Sequence, residues 1–377
     1  MSNPNTSALR KSQQCIFRDA ENLALMTSNP IAKNIEQRLA PLLNSAIRTA
    51  IYLDLFNIIC TPIALPTIAE KTTAGRTLLL RLLRVLCSHS YFEELSRETY
   101  QPTALSESLR SAPIRDWIKT TFDTTNLIGF HLPAYLASIQ YQNPSSDVHS
   151  TSPSKFVFRE EYFAHLHANP VMLEAFNSAM GIQDLVPLSS IPVFPFAERL
   201  SQICDDTVAL VDVGGGHGSY LDSWRKAYPN LKGCIVLQDL PTVIDEINLI
   251  TVDFELMAHD FFTPQPIVGA RFYHFRRVLH DWSDGECTRI LRNVAKGFSR
   301  DYSTLLLSEQ VMPDEGCNKL EALTDWNMMA LTGMERTRSQ WSELLGAAGF
   351  LIRDVHMAQR GSRGIIEAQL ADGSASA

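Results

Sequence analysis

Apolar residues recur at helical spacing through residues 15–60, where Leu39, Leu42, Leu43, Ile47, Ala50, Ile51 and Leu55 share a face. The run Leu78-Leu-Leu-Arg-Leu-Leu-Arg-Val-Leu gives a second amphipathic helix. Two short strand-like pieces follow, Tyr91-Phe-Glu-Glu-Leu and Tyr100-Gln-Pro-Thr. Helices closed by a small hairpin are the outline of a winged helix. Helical periodicity returns over 113–143 with Trp117, Phe122, Leu127, Phe130, Leu132 and Tyr135, and a Ser- and Pro-rich stretch at 143–154 marks a boundary. Further helices run from Tyr162 to Leu200, where Pro187, Pro192 and Pro195 break the pattern.

Beyond residue 208 the pattern changes to strands alternating with helices. Strands are predicted at Leu210–Val213, Cys234–Leu237, Leu256–Ala258, Arg271–Phe275, Leu305–Leu307, Leu351–His356 and Gly364–Gln369. Such alternation implies a mostly parallel α/β sheet. The last two strands are joined only by Met357–Arg363, too short for a helical crossover, so they should pair as an antiparallel hairpin at the sheet edge. The expected organisation is a helical domain over 1–145, connecting helices over 146–200 and an α/β domain over 201–377.

The chain is organised around Val208-Ala-Leu-Val-Asp-Val-Gly-Gly-Gly-His-Gly-Ser, an apolar run that stops in glycine ahead of a helix-prone segment. A buried parallel strand ending in this way aims backbone N–H groups and a helix N-terminus at a nucleotide-like ligand, although a glycine turn can also serve plain strand-to-helix packing. Asp239 lies 23 residues past Gly216, close to the roughly 20 expected of an acid that holds ribose hydroxyls. No glycine stands three after Gly216, so the dinucleotide fingerprint is not matched and a nicotinamide cofactor is disfavoured.

Charge and cysteine content narrow the partners. A net charge of −8, from 33 basic and 41 acidic residues, provides no basic footprint for nucleic acid or an anionic membrane surface and fits a small-molecule substrate. No run approaches the roughly 18 apolar residues of a membrane span, and Met-Ser-Asn-Pro-Asn-Thr-Ser lacks an apolar signal core. The seven cysteines are widely spaced, with no Cys-x-x-Cys pair and no histidine at zinc-ligand spacing. Reduced thiols, no metal site and a cytoplasmic location are therefore expected.

The block Leu210-Val-Asp-Val-Gly-Gly-Gly-His-Gly resembles motif I of S-adenosylmethionine-dependent methyltransferases. Gln238-Asp-Leu-Pro-Thr-Val-Ile, His259-Asp-Phe-Phe, Tyr273-His-Phe-Arg-Arg-Val-Leu-His-Asp-Trp-Ser-Asp, Leu307-Ser-Glu-Gln-Val-Met-Pro and Gly333-Met-Glu-Arg-Thr extend the likeness to the plant and fungal small-molecule O-methyltransferases, similar to caffeate and flavonoid O-methyltransferases. The resemblance implies a Rossmann-like catalytic domain and an N-terminal winged-helix-like domain through which two copies form a homodimer. It implies S-adenosylmethionine as cofactor, with Gly214 and Gly216 along its amino-acid end, Asp239 on the ribose, and Asp260 and Phe261 flanking the adenine. Arg276 stands where the plant enzymes have a lysine, which keeps the charge but changes the hydrogen-bond geometry.

Methyl transfer to a hydroxyl requires removal of the hydroxyl proton, and an imidazole is suited to that near neutral pH. His280 matches the family's general base, and Glu309 and Glu335 match the two glutamates that flank it; Asp281 and Trp282 read as helix start and packing. By the same resemblance Phe130, His131, Met180 and Met328 fall at substrate-facing positions, where methionine adapts its shape to a planar ring. The stretch between Met328 and Glu335 is two residues shorter than in the plant enzymes, which reshapes the pocket edge. The implied acceptor is a hydroxyl of a small aromatic or polyketide-type secondary metabolite. Some fungal relatives of the same fold instead catalyse pericyclic rearrangement or dehydration with the cofactor bound and no net methyl transfer.

Overall fold

The computed structural model describes residues 29–145, 151–181, 193–247, 253–358 and 363–371. The chain divides into two compact units, one of Met1–Leu127 with Leu166–Ile182, the other of Ile128–His165 with Gln183–Ala377. The units are not contiguous in sequence, whereas the periodicity alone suggests boundaries at 145 and 200. The chain returns to the first unit for the helix Pro170–Met180, where Ser178 donates to Asp116 at 2.6 Å.

In the first unit the helix Pro30–Tyr52 is capped by Asn29, whose side chain accepts from Ile31 N. It buries Ile47, Ala50 and Ile51 against Leu79, Leu82, Leu83 and Leu86 of the helix Arg76–Ser88. Of the face that the sequence spacing marks out, Ile47, Ala50 and Ile51 are buried here and Leu55 on the short helix that follows, whereas Leu39 and Leu42, nearer the N-terminus of the helix, are exposed; residues 15–28 of the expected helical run lie outside the described residues. Three short strands, β1 (Ile63–Ala64), β2 (Phe92–Ser96) and β3 (Thr99–Pro102), pair antiparallel in the order β1-β3-β2. Arg48 is buried and gains its counter-charge from Asp123, which accepts from Nη2 at 2.7 Å and Nε at 3.2 Å.

The second unit is built on a sheet of β4 (Val208–Val213), β5 (Cys234–Asp239), β6 (Glu255–Ala258), β7 (Phe272–Arg276), β8 (Thr304–Met312), β10 (Phe350–Met357) and β11 (Arg363–Leu370), with β9 (Arg336–Thr337) paired to the end of β8. The order is β10-β11-β8-β7-β4-β5-β6, parallel from β8 through β6. β11 runs antiparallel to β10, as the short Met357–Arg363 connection requires, and also to β8. Successive side chains of a strand face opposite sides of a sheet. Accordingly Val211, Val213, Tyr273, Phe275, Leu305 and Leu307 join one core, while Leu210, Phe272, Leu306 and Ile235 join the other.

From β4 the chain winds outward through β5 and β6, then crosses back to place β7 on the other side of β4. The two halves therefore diverge between β4 and β7, and in open α/β sheets ligands bind at such a divergence, outside the carboxyl ends of the strands. Every residue singled out as cofactor-binding sits at one of those ends. No described helix is long and apolar enough to cross a membrane, and the six described cysteines are free thiols, Cys15 lying outside the described residues.

Candidate active site

The glycine turn closes on its neighbours at some positions and opens at another. Gly214 and Gly215 donate through their backbone N–H to the Gln238 carbonyl at 2.8 and 3.2 Å, tying the turn to the end of β5. A Cβ on Gly215 would lie 2.3 Å from Leu237 and 2.5 Å from the Asp212 carboxylate, so only glycine fits. At Gly216, with φ of +59°, a Cβ would meet nothing within 4 Å, so this face of the turn is open to a ligand. The helix Ser219–Ala227 follows directly.

Asp239 braces the turn: Oδ2 accepts from Gly216 N and Oδ1 from Leu240 N, both at 2.8 Å. Burial raises its carboxyl above the usual carboxylate range, and these two N–H groups work against that rise. Asp260 accepts from Phe262 N at 2.9 Å, and Phe261 lies 3.5 Å from the position of a Gly214 Cβ, so an aromatic face borders the turn. Arg276 Nη2 donates to Ser219 Oγ at 3.3 Å, and its guanidinium lies over the Tyr220 ring.

Beneath the turn lies a fully buried polar chain that sequence reading does not find. Asp212 Oδ1 pairs with His274 Nδ1 at 2.8 Å, and His274 Nε2 with Ser308 Oγ at 2.7 Å, linking β4, β7 and β8. The other Asp212 oxygen is buried with no hydrogen-bond partner among the described residues. An orphaned buried carboxylate oxygen is costly, and its place under the glycine turn suits a cationic or donor group of a bound cofactor.

His280 lies in a 3-10 turn, Leu279–Asp281, just after β7. Its Nδ1 is 3.2 Å from Glu335 Oε1, and Nε2 is 3.3 Å from Asp281 Oδ1. Glu309 does not flank the imidazole by a hydrogen bond, as the sequence suggests. It sits within β8 rather than at the strand end, and Oε1 accepts from Val278 N at 3.2 Å and Leu279 N at 3.1 Å. Glu309 thus fixes the backbone that carries His280. Asp281 also differs from expectation: the helix begins after Ser283, whose side chain caps Glu286 N, so Asp281 is left beside the imidazole. Trp282 packs edge-on against Phe261 and Phe262, in the packing role expected of it.

Two residues unassigned from sequence complete the cluster. Arg277 Nη1 donates to the same Glu335 Oε1 at 3.0 Å. Arg336, 1% exposed, donates to the Leu279 carbonyl at 3.0 Å and the Trp282 carbonyl at 2.9 Å and pairs with Asp284 at 2.7 Å, clamping the His280 turn from behind. Gly333 makes the approach possible, since Met334 N donates to the His280 carbonyl at 2.9 Å.

The electrostatics follow from this packing. Burial and Arg277 oppose charge on His280, but Asp281, Glu335 and Glu309 outweigh them and raise the imidazole above its usual value. Glu335 shifts oppositely: burial would raise it, yet Arg277 and His280 hold it down to about 2. Burial raises Glu309 and Asp281, against the pull of His280 and Arg277, which would lower them. The site therefore contains one firmly ionised carboxylate, Glu335, on the imidazole's Nδ1 side.

The substrate-facing candidates are spread more widely. Met328 is buried at the end of the helix Lys319–Met328. Phe130 and His131 are exposed on Asn126–Ser138, and Met180 ends Pro170–Met180 in the other compact unit. Among the described residues no group of three or more His, Cys, Asp or Glu is placed to hold a metal ion.

A parallel sheet with a glycine turn at its point of divergence, an aromatic border and a buried acid defines an α/β enzyme that binds a nucleoside-type cofactor. A family model of the O-methyltransferase domain matches residues 193–351, and one of the O-methyltransferase dimerisation domain matches residues 39–111. An O-methyltransferase of Pestalotiopsis microspora is 32% identical over 366 residues, covering 95% of this chain and 90% of that protein. Demethylsterigmatocystin 6-O-methyltransferase of Aspergillus flavus is 32% identical over 294 residues, covering 78% of this chain and 75% of that protein. The solved structure of LepI with S-adenosylmethionine has the same fold, with a TM-score of 0.86 at 24% identity and 97% of each chain covered. The chain belongs to the S-adenosylmethionine-dependent O-methyltransferase family, is an enzyme of that family and carries its dimerisation domain. The open Gly216 face, the braced Asp239 and the orphaned Asp212 oxygen fit S-adenosylmethionine.

Proposed function

We propose that the protein methylates a hydroxyl of a small aromatic or polyketide-type secondary metabolite, working as a homodimer, with His280 as general base. The observation that carries this reading is the His280–Glu335 pair. Glu335, ionised and bound to Nδ1, fixes the imidazole so that its Nε2 is the nitrogen left to accept a proton. The 3.3 Å contact of Nε2 with Asp281 must give way when a substrate hydroxyl enters. Asp281 is the looser partner, its side chain 22% exposed against 0% for Glu335.

In this reading Gly214, Gly216, Asp239, Asp260, Phe261 and Arg276 hold S-adenosylmethionine, which supplies an electrophilic methyl group on a sulfonium. His280 takes the hydroxyl proton as the oxygen becomes nucleophilic, and Glu335 stabilises the imidazolium that results. Glu309 and Arg336 hold the turn that presents the base. By the family resemblance Phe130, His131 and Met328, and Met180 of the other compact unit, are each candidates for substrate contact, the two methionines through adaptable apolar surface. The activity for which the Aspergillus flavus relative is named, 6-O-methylation of demethylsterigmatocystin, supports a hydroxyl of a small molecule as acceptor.

The test is incubation with S-adenosylmethionine and hydroxylated metabolites, read by mass spectrometry for the gain of one CH2 unit. Conversion to an isomer with the cofactor unconsumed would overturn methyl transfer in favour of pericyclic chemistry, which the fold also hosts. For the base, His280→Ala should abolish methylation while leaving cofactor affinity intact; full activity in that variant removes the assignment.

A further inference from the structure

Glu335 is buried and shares a single oxygen, Oε1, between two cationic side chains, Arg277 at 3.0 Å and His280 at 3.2 Å. A buried carboxylate beside an imidazole poses a problem for a base. A buried carboxylate whose only partner is an imidazole favours the imidazolium strongly, because an unpaired buried charge costs several kcal/mol. A protonated imidazole can orient a substrate but cannot accept its proton. A permanent cation on the same carboxylate weakens that demand.

We propose that Arg277 is a positioning residue for His280: by giving Glu335 a permanent cationic partner, it lets Glu335 orient the imidazole while weakening the pull of the surrounding carboxylates toward the charged ring. This rests on the reading of His280 as base. Three observations support it. Arg277 adopts a left-handed backbone, φ +57°, held by its N–H donating to the Ser308 carbonyl at 3.1 Å. That conformation costs a non-glycine residue on the order of 1 kcal/mol or more and persists only where the surroundings impose it. Glu335 in turn is fixed independently of His280, its N–H donating to Asp325 at 2.9 Å. Finally, both cations meet at one oxygen, so Arg277 repels the imidazolium but not the neutral ring.

The other charged groups around the pair come from every neighbouring element. Asp281 lies on the Nε2 side, and Glu309 of β8 lies behind the turn. Asp325, from the helix Lys319–Met328, and Arg363, at the start of β11, face Glu335. Asp281, Glu309 and Glu335 favour the imidazolium, which leaves Arg277 as the cation that acts directly against it.

The experiment is a pH titration of His280 by NMR in protein labelled with 13C at the histidine ring, the resonance being assigned by its loss in His280→Asn. In Arg277→Met the midpoint should rise by about one to two pH units, the usual effect of losing a charge at this range, and Arg277→Lys should restore it. The acid limb of kcat/KM should move up by the same amount, with activity recovering at high pH. A purely structural role would instead lower kcat at every pH without moving the limb. An unchanged or lower midpoint in folded Arg277→Met overturns the inference. Glu335→Gln gives the second reading if that variant does not fold: the midpoint must fall, and a midpoint that stays in place overturns the inference equally. The titration needs no methyl acceptor, so the two readings fail separately. If His280→Ala retains activity, the base assignment is lost and the titration still stands.

Discussion

Gly333→Ala is the sharpest test of how the site is assembled. Gly333 has no left-handed φ, so alanine adds one methyl group and no backbone strain. That Cβ would sit 2.1 Å from the His280 carbonyl oxygen and 3.0 Å from Asp281 Cα. Ordinary contact begins at 3.4 Å, so the two segments must separate by 3.4 − 2.1 = 1.3 Å. The obstacle is backbone, which cannot rotate aside as a side chain can. The separation breaks the Met334 N–His280 carbonyl bond of 2.9 Å and pulls Glu335, two residues on, away from Nδ1. Overpacking of this kind costs about 1–3 kcal/mol, which lowers Tm by roughly 2–4 °C per kcal/mol in a domain of this size. A shift of about 1 Å in a catalytic group costs on the order of 100-fold in rate. The assay pairs a thermal scan and calorimetric S-adenosylmethionine binding with turnover on an acceptor found by mass spectrometry. Cofactor affinity should hold, because the glycine turn and Asp239 are untouched, while kcat falls. Wild-type kcat and Tm together would refute the packing argument.

Three further outcomes follow from the geometry. Asp239→Asn removes the charge and leaves one acceptor oxygen where two now brace Gly216 N and Leu240 N, and should weaken S-adenosylmethionine binding by about 10–100-fold, the cost of about 1.5–3 kcal/mol for a hydrogen bond to a charged group; affinity within twofold of wild type by calorimetry would remove its assignment to the ribose. His274→Phe strips the Asp212 carboxylate of its buried partner and should cost about 3–5 kcal/mol in urea unfolding; a loss below about 1 kcal/mol would show that the Asp212–His274–Ser308 chain is structurally idle. Glu335 is held down to about 2 in the fold, below its ordinary 4.5, so it stabilises the protein above about pH 4.5 and that contribution fades as pH falls toward 2. Wild type should therefore exceed Glu335→Gln in stability at neutral pH, on the order of 3 kcal/mol, with the gap closing in acid; a gap independent of pH would contradict the assigned charge.

What the sequence reveals of this site, and what it hides, divides along the range of the interactions. The strand β4, its glycine turn and the following helix are local: β-branched residues, then residues with no Cβ, then helical spacing, each readable in a short window. The antiparallel β10–β11 pair is legible for the same reason, since a connection as short as Met357–Arg363 excludes a crossover. The cluster at His280 is not local. Arg277 reaches Glu335 across 58 residues and Arg336 reaches the Leu279 carbonyl across 57, and no periodicity encodes a contact at that distance; only the family resemblance brings His280 and Glu335 together. It does not give their geometry. Glu309 and Glu335 are both acids following an apolar run, yet strand register aims one at backbone N–H groups and the loop after Gly333 aims the other at the imidazole. Asp281 reads as a helix start because Asp often begins helices; Ser283 wins that position with its Glu286 capping box, and the 3-10 turn leaves Asp281 against Nε2. Residue type is thus enough to nominate the acids around a base, but which acid touches the ring, which holds the backbone and which must move aside is decided by a three-residue turn at Leu279–Asp281 and by one glycine at 333.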